Sequence, residues 1–351
     1  MKKILFVSSS SAGGAERMTV LYSKILKKSG FDCRFLISSF PSSQILITEF
    51  IPQNIKYEFI RLHYKLLISL QFLFRILNYR PDIIFCSQPG NSVSILKLKR
   101  LLLLKSKFVY REFLMPSDNM NGIDKRARFL KYADLLIAQT TEMKEEMVKY
   151  YHIDPSKVKV INNPIDTDLI REKIEETYPF DHSYTNYIAM NRVSPQKDML
   201  TMLKAFEIVK LTEPNSRLYV CGSTSDKVYY GELMEFVTKH YLTDSVFFEG
   251  PQSNPFKYLN SADVFCLSSI YEGLPNSMLE AMYLGVPVAV TSSIPFIEQI
   301  VEVGKQGFLA TPKDYVGFAD AMLKAAKLPR QNKYVEPIAS SEEIVTTFNK
   351  L

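Results

Sequence analysis

Two carboxylates, Glu272 and Glu280, stand with seven residues between them in the stretch DVFCLSSIYEGLPNSMLEAMYLGVPVAVT, residues 263–291. Val264 to Leu267 is a short apolar run suited to a buried strand, and Ser268 to Pro275 is rich in turn residues. A helix is expected next, with Asn276 or Ser277 as its N-cap and Met278, Leu279 and Met282 facing a core. Gly285 should end it before a second buried strand, Val286 to Val290. In such a strand, loop, helix, strand unit, the backbone N–H groups of the loop and first helical turn converge at the carboxyl edge of a parallel sheet. There they bind an anion such as phosphate. A carboxylate on that loop, Glu272, suits sugar hydroxyls, and one a turn into the helix, Glu280, suits a second hydroxyl pair such as a ribose. Plainer readings stand beside these. Ser277-Met278-Leu279-Glu280 fits a capping box, and a lone loop glutamate is most often a solvated charge.

A second constellation is cationic. Arg192 and Lys197 stand five residues apart on a loop between an expected strand, Asn186 to Met190, and an expected helix, Met199 to Val209. Two cations so placed suit a diphosphate, whose negative charge grows as a sugar leaves it; isolated, each would be a surface charge. Near the N-terminus the strand KILFVS (3–8) is followed by SSSAGGAER, where Gly13 and Gly14 let the backbone approach a ligand or simply make a tight turn. The G-x-G-x-x-G fingerprint is absent, so a nicotinamide cofactor is not indicated. The strand FVYRE (108–112) should carry Arg111 and Glu112 to a crevice at its end.

The elements around these residues alternate between apolar strand runs and helical patterns, which indicates α/β domains with parallel sheets. With 351 residues, 46% hydrophobic and 23% charged, the chain is long enough for two domains with separate cores. Residues 1–170 hold 26 Lys and Arg against 15 Asp and Glu, and the remainder 17 against 22, so the positive excess belongs to the first half and favours an anionic partner surface. Two helices there bear on which surface: an apolar one over Tyr64 to Leu77, and one over Val93 to Lys105. In the second, Lys97, Lys99, Arg100, Lys105 and Lys107 surround Leu101 to Leu104 without an acid. A basic, leucine-rich face is a membrane-surface signal, although each helix alone also reads as a core helix with solvated lysines. The four cysteines are far apart in apolar runs and read as buried thiols, and no Cys/His spacing matches a metal site. Met1-Lys2-Lys3 precedes only four apolar residues, too few for a signal peptide. No run reaches the length of a membrane span, so a cytoplasmic location is expected.

The stretch EGLPNSMLEAMYLGVPV resembles the donor-binding signature of the retaining glycosyltransferases of family four, which have the GT-B architecture. The resemblance implies two doubly wound Rossmann-like domains facing a cleft: an acceptor domain over residues 1–168, a nucleotide-sugar domain over 169–335, and a last helix within 336–351 returning to the first. It implies that Glu272 contacts the donor sugar, Glu280 the ribose, and the loop backbone of Gly273, Leu274, Pro275 and Asn276 the region of the diphosphate, with Arg192 and Lys197 as phosphate-binding cations. GGAER is similar to the glycine-rich loop that faces the diphosphate in that family, which points to Gly13 and Gly14. VKVINNPIDTDLI (158–170) resembles the connection between domains. Three positions depart from the pattern: Asn191 and Pro164 stand where glycine is common, and no histidine ends the strand carrying Arg111 and Glu112, which are left for the acceptor or the donor.

The activity so implied is retaining transfer of a hexose or N-acetylhexosamine, without a bound metal or other cofactor. The donor expected is a nucleotide sugar, most often UDP-linked in the family. The acceptor expected is a saccharide or lipid-linked saccharide in cell-surface polysaccharide synthesis, with the protein peripheral on the anionic inner face of the plasma membrane. A GT-B nucleotide-sugar epimerase and a non-catalytic nucleotide-sugar-binding subunit are the competing readings. Nucleic acid is not an expected partner, because the basic half lacks aromatic interleaving in a recognisable motif.

Overall fold

A computed structural model describes residues 1–11, 13–39, 47–61, 65–331 and 339–351. The chain divides into two compact units, Met1–Pro164 with Ile338–Leu351, and Ile165–Pro337. The first boundary falls before residue 168 because Asp166 accepts a hydrogen bond from Leu169 N and so caps a helix that belongs to the second unit. Tyr64, expected to open a helix, and residues 336–338 lie outside the described residues.

Among the described residues the first unit holds seven parallel strands: β1 (Lys3–Ser9), β2 (Asp32–Ser39), β3 (Lys56–Arg61), β4 (Ile83–Cys86), β5 (Lys107–Arg111), β6 (Leu135–Ala138) and β7 (Val158–Val160). They lie in the order β3-β2-β1-β4-β5-β6-β7. Helices α1 (Gly14–Lys28), α2 (Lys65–Tyr79), α3 (Pro89–Leu102), α4 (Ile123–Leu130) and α5 (Thr141–Tyr151) connect them. Central strands such as Ile83–Cys86 are buried at every position, the continuous apolar reading of a sheet covered on both faces. Phe6 stacks on Phe35 with ring centroids 5.3 Å apart, and Phe85 lies 6.1 Å from Phe348 of the C-terminal helix α13 (Ser341–Asn349). Lys159 Nζ fixes that helix by donating to Thr347 Oγ1 at 2.6 Å.

Helix α3 begins a turn earlier than the sequence pattern placed it, because Pro89 occupies its first position, where a missing N–H costs nothing. It stops at Leu102, and Leu103 turns left-handed at φ 50°. Leu101 and Leu103 are thereby left 78% and 85% exposed. Leu70, Phe74 and Leu77 of α2, at helical spacing, are each more than half exposed.

Among its described residues the second unit has six parallel strands: β8 (Thr185–Met190), β9 (Ser216–Cys221), β10 (Val246–Gly250), β11 (Val264–Leu267), β12 (Val288–Thr291) and β13 (Gly307–Ala310), in the order β10-β9-β8-β11-β12-β13. Its helices are α6 (Thr167–Lys173), α7 (Met199–Thr212), α8 (Lys227–Lys239), α9 (Phe256–Ser261), α10 (Asn276–Tyr283), α11 (Pro295–Ile300) and α12 (Tyr315–Ala325). In each sheet the chain begins in the middle, works out to one edge, then returns to lay a strand on the other side of the first. The reversal falls between β1 and β4 in the first unit and between β8 and β11 in the second. At such a reversal the loops leaving the two strands part in opposite directions and open a crevice at the carboxyl edge, the usual ligand position in this architecture.

Candidate active site

At the β8/β11 reversal the two expected constellations meet. Lys197 lies in a short 3-10 turn, Pro195–Lys197, after β8, and Glu272 on the loop after β11. Lys197 Nζ pairs with Glu272 Oε1, and the two side chains are only 16% and 7% exposed. Arg192 is exposed on the same loop as Lys197 and has no ion pair among the described residues. Glu280 is half-buried on α10, and Gly273, Leu274 and Pro275 are buried in the turn that leads into it. Gly285 ends α10 with φ 69°, as its position predicted.

The N-cap is not the one expected. Pro275 takes that position with extended backbone, and no side chain caps α10, so Ser277 lies inside the helix and the S-x-x-E capping box does not form. The reason is proline's fixed φ, which sets the entry to the helix one residue before Asn276. An uncapped helix start at a carboxyl edge favours an anion, since the first-turn N–H groups have no partner within the helix.

Side chains that sequence reasoning missed hold this arrangement. Ser269 Oγ donates to Glu272 Oε1 at 2.6 Å, and Thr291 Oγ1, at the end of β12, donates to Ser269 O at 2.6 Å. Ser268 Oγ lies 2.9 Å from Lys197 O and 3.0 Å from Asp198 O. Ile270 N donates to Gln196 O at 2.9 Å, and Gln196 Nε2 to Tyr271 O at 3.1 Å. The loop bearing Lys197 and the loop bearing Glu272 are therefore tied together through backbone as well as by the ion pair. The available signal was a Ser or Thr at the carboxyl end of adjacent apolar strands. Ser269→Ala should lower turnover about 10- to 100-fold, the worth of one hydrogen bond to a charged group; steady-state rates at saturating donor check this, and an unaltered rate would refute it.

Arg111 and Glu112 are placed otherwise than expected. Instead of lining a crevice they are sealed inside the first unit, 1% and 0% exposed. Arg111 donates to Asn163 Oδ1 and lies over the Tyr22 ring, 5.9 Å from its centroid. Glu112 Oε2 accepts from Tyr151 at 2.5 Å and Tyr110 at 3.2 Å, and Oε1 from Phe113 N at 3.1 Å. Burial lowers the Arg111 pKa and raises that of Glu112, and the hydrogen bond from Tyr151 opposes the second shift only in part. A raised carboxyl favours the folded state below the ordinary glutamate pKa of about 4.3 and loses that contribution as pH rises through the raised value. Glu112→Gln should therefore match or exceed the native protein's stability at neutral pH and flatten its decline from weakly acidic to neutral pH. Urea melts across that range test this; a variant less stable at neutral pH with the native slope intact would refute it.

Gly13 and Gly14 are exposed at the start of α1, Gly13 as its N-cap. All four cysteines are free and buried. Among the described residues no group of three His, Cys, Asp or Glu could hold a metal ion, and no helix is long and apolar enough to cross a membrane.

The family model described as Glycosyltransferase Family 4 matches residues 12–169, and that described as Glycosyl transferases group 1 matches residues 170–341. A 170-residue stretch is 32% identical to an uncharacterized glycosyltransferase of Methanocaldococcus jannaschii; it is 46% of this chain and spans 41% of that relative's length. Over 308 residues, 83% of this chain and 81% of the relative, it is 24% identical to a Campylobacter jejuni N-acetylgalactosamine-N,N'-diacetylbacillosaminyl-diphospho-undecaprenol 4-alpha-N-acetylgalactosaminyltransferase. The fold is that of Anabaena HepE, solved in complex with UDP and glucose, with TM-score 0.80 and 19% identity over 100% of this chain and 99% of that one. Carrying both halves of the family's pattern on two parallel sheets of this order, the chain belongs to the family-four glycosyltransferases and is a transferase of the GT-B fold.

Proposed function

We propose that this enzyme moves a hexose or N-acetylhexosamine, with retention of configuration, from a UDP-sugar to a lipid-linked saccharide in cell-surface glycan synthesis. The observation that carries it is the Lys197–Glu272 pair, held by Ser269 at the β8/β11 reversal. On donor binding Lys197 turns from Glu272 to the diphosphate, together with Arg192 and the backbone N–H groups of Gly273, Leu274 and Asn276, while Glu272 and Glu280 accept from hydroxyls of the sugar and ribose. The sugar C1–O bond to the β-phosphate breaks, a C1–O bond to the acceptor hydroxyl forms, and that hydroxyl's proton passes to the departing phosphate. Two cations and an uncapped helix start supply positive charge where negative charge develops, the office a divalent ion fills elsewhere. Relatives support the substrate classes: the name of the Campylobacter jejuni enzyme specifies a diphospho-undecaprenol acceptor, and HepE was solved with UDP.

The test is release of free nucleotide diphosphate from a panel of UDP- and GDP-sugars, with and without a membrane lipid extract and in the presence of EDTA. Release that requires the extract and survives EDTA is the expected result; release abolished by EDTA, or no release from any donor, overturns the proposal.

Contact with the inner face of the plasma membrane is the second part of the reading. Exposed Leu101 to Leu103 end α3 beside Lys97, Arg100 and Lys105, all exposed. Lys99 differs: it is drawn to Asp134, which also lies 3.5 Å from Lys107. Each remaining cation near an anionic surface contributes about 1 kcal/mol. The protein should float with anionic liposomes at low salt, and Leu101→Asp with Leu103→Asp should abolish flotation; binding unaffected by that pair would place the contact elsewhere.

A further inference from the structure

The two sheets leave four edge strands among the described residues, and three of them are blunted. β7 is three residues long and β13 four, and β10 breaks register between Phe248 and Gly250. Short strands and bulges keep an unpaired edge from recruiting another chain. β3 has neither device. It runs six residues, Lys56–Arg61, in unbroken register with Arg34 to Ser39 of β2, and it contains no proline. Its outer N–H and C=O groups therefore stand in a regular row, with no partner strand among the described residues.

The side chains along this edge are exposed as well. Tyr57 and Phe59 are 45% and 40% exposed, with ring centroids 5.8 Å apart. They stand opposite Phe35 and Ile37 of β2, both buried in the first unit's core, so the apolar face of the sheet continues past its last covered strand. Lys56 and Glu58 alternate with them on the other face, Lys56 exposed and the Glu58 side chain 50% exposed. Arg75 Nε of α2 lies 2.5 Å from Glu58 Oε2, and its guanidinium is 5.6 Å from the Phe74 ring centroid, which brings the exposed Phe74 to the same border.

A second copy of the strand fits this edge. Two like strands meeting about a twofold axis run antiparallel, and residues equidistant from the centre face each other. The charges choose the centre. Centring on Lys56 sets lysine against lysine, and centring on Glu58 sets glutamate against glutamate. Centring on Phe59 sets Glu58 against Ile60, which is 1% exposed. Of the four centres from Lys56 to Phe59, Tyr57 alone sets Lys56 against the partner's Glu58 and Glu58 against the partner's Lys56. The same register sets Tyr57 against Tyr57 and Phe59 against Ile55 on the apolar face. Opposite charges and aromatic or branched apolar pairs are the stabilising combinations directly across an antiparallel pair.

We infer that the protein pairs with itself through β3, centred on Tyr57, so that the two copies' seven-stranded sheets continue as one. The inference goes beyond the transferase reading and stands without it. The net positive charge of residues 1–170 opposes the approach of two copies, so a dissociation constant on the order of 10 μM is expected.

Sedimentation velocity of the full chain over a range from about 1 to 200 μM tests this. A reversible monomer–dimer equilibrium is the expected result. Lys56→Glu and Glu58→Lys should each weaken it about 10- to 100-fold, since two attractive pairs become two repulsive ones. Mixed in equal amounts, the two variants should restore a dimer, because each acid then faces a base; a contact elsewhere on the surface gives no such rescue. Tyr57→Asp, which places two carboxylates at the axis, should also abolish pairing and serves if Glu58→Lys fails to fold without its Arg75 partner. Leu101→Asp with Leu103→Asp should leave the dimer intact, which separates this edge from the exposed tip of α3. A chain monomeric throughout, a dimer indifferent to the β3 variants, a mixture of folded variants that stays monomeric, or a dimer lost with the α3 leucines each overturns the inference.

Discussion

Lys197→Ala is expected to slow transfer about 10²- to 10³-fold at saturating donor, the scale for removing one group that stabilises developing charge. The reason is specific to its placement. Lys197 is held by Glu272, on the loop that leads into the uncapped start of α10, and in the proposed reaction it meets the diphosphate only by leaving that partner. The same substitution strands the Glu272 carboxylate, 5% exposed as a residue, with Ser269 as its remaining side-chain donor. Breaking a buried pair on one side costs about 3 kcal/mol, less where one member keeps water, so the variant should also melt earlier. The two effects separate in the double variant Lys197→Ala with Glu272→Gln: stability should return while activity stays low. A single variant within threefold of native turnover removes Lys197 from the reaction, and a double variant that regains activity assigns the lysine a purely structural duty.

Gly222→Ala should destabilise the second unit by about 2 to 3 kcal/mol, as overpacking of a closed site does. A Cβ on Gly222 would stand 1.8 Å from Asn191 O, 2.6 Å from Asn191 C and 3.2 Å from Arg192 N. All three are backbone atoms, so no rotamer change relieves the contact. The loop carrying Asn191 and Arg192 must move, and donor KM should rise together with the loss of stability. Gly231, inside α8 with nothing within 4 Å of its Cβ position, is the internal control: alanine there should stabilise by about 0.5 to 1 kcal/mol through helix propensity. Urea melts and donor titrations of both variants decide the matter, and a Gly222→Ala chain with native midpoint and donor affinity would show that the loop yields freely.

How much of this was legible follows from the physics of each signal. Strand, loop, helix, strand over residues 264–291 was readable because four-residue apolar runs bounded by turn residues have few other uses, and Gly285 marked the helix end through its left-handed backbone. Strand order was not readable from periodicity, since central strands such as β4, β6, β11 and β12 are buried on both faces and carry no alternation to tell neighbours apart. Arg111 and Glu112 misled because charged residues at a strand end normally seek solvent. Of their partners only Tyr110 is local; Tyr22, Asn163 and Tyr151 lie far along the sequence, and no local pattern announces them. The Ser269 and Thr291 supports were invisible for a related reason: their worth depends on β11 and β12 lying side by side, with Leu267 opposite Val290. Glu16 sat in plain view as part of GGAER, but its hydrogen-bond partners are Gln88 and Ser9, which only the β1/β4 adjacency brings to it.

The exposed tip of α3 has a consequence for the chain away from lipid. Leucines at 78% and 85% exposure are adhesive, and what keeps copies apart in dilute buffer is the repulsion of 26 cationic against 15 anionic residues over positions 1–170. That repulsion is screened within about 8 Å at physiological ionic strength. Added salt therefore removes the barrier and leaves the adhesion, so colloidal stability in detergent-free buffer should fall as ionic strength rises toward that of the cell.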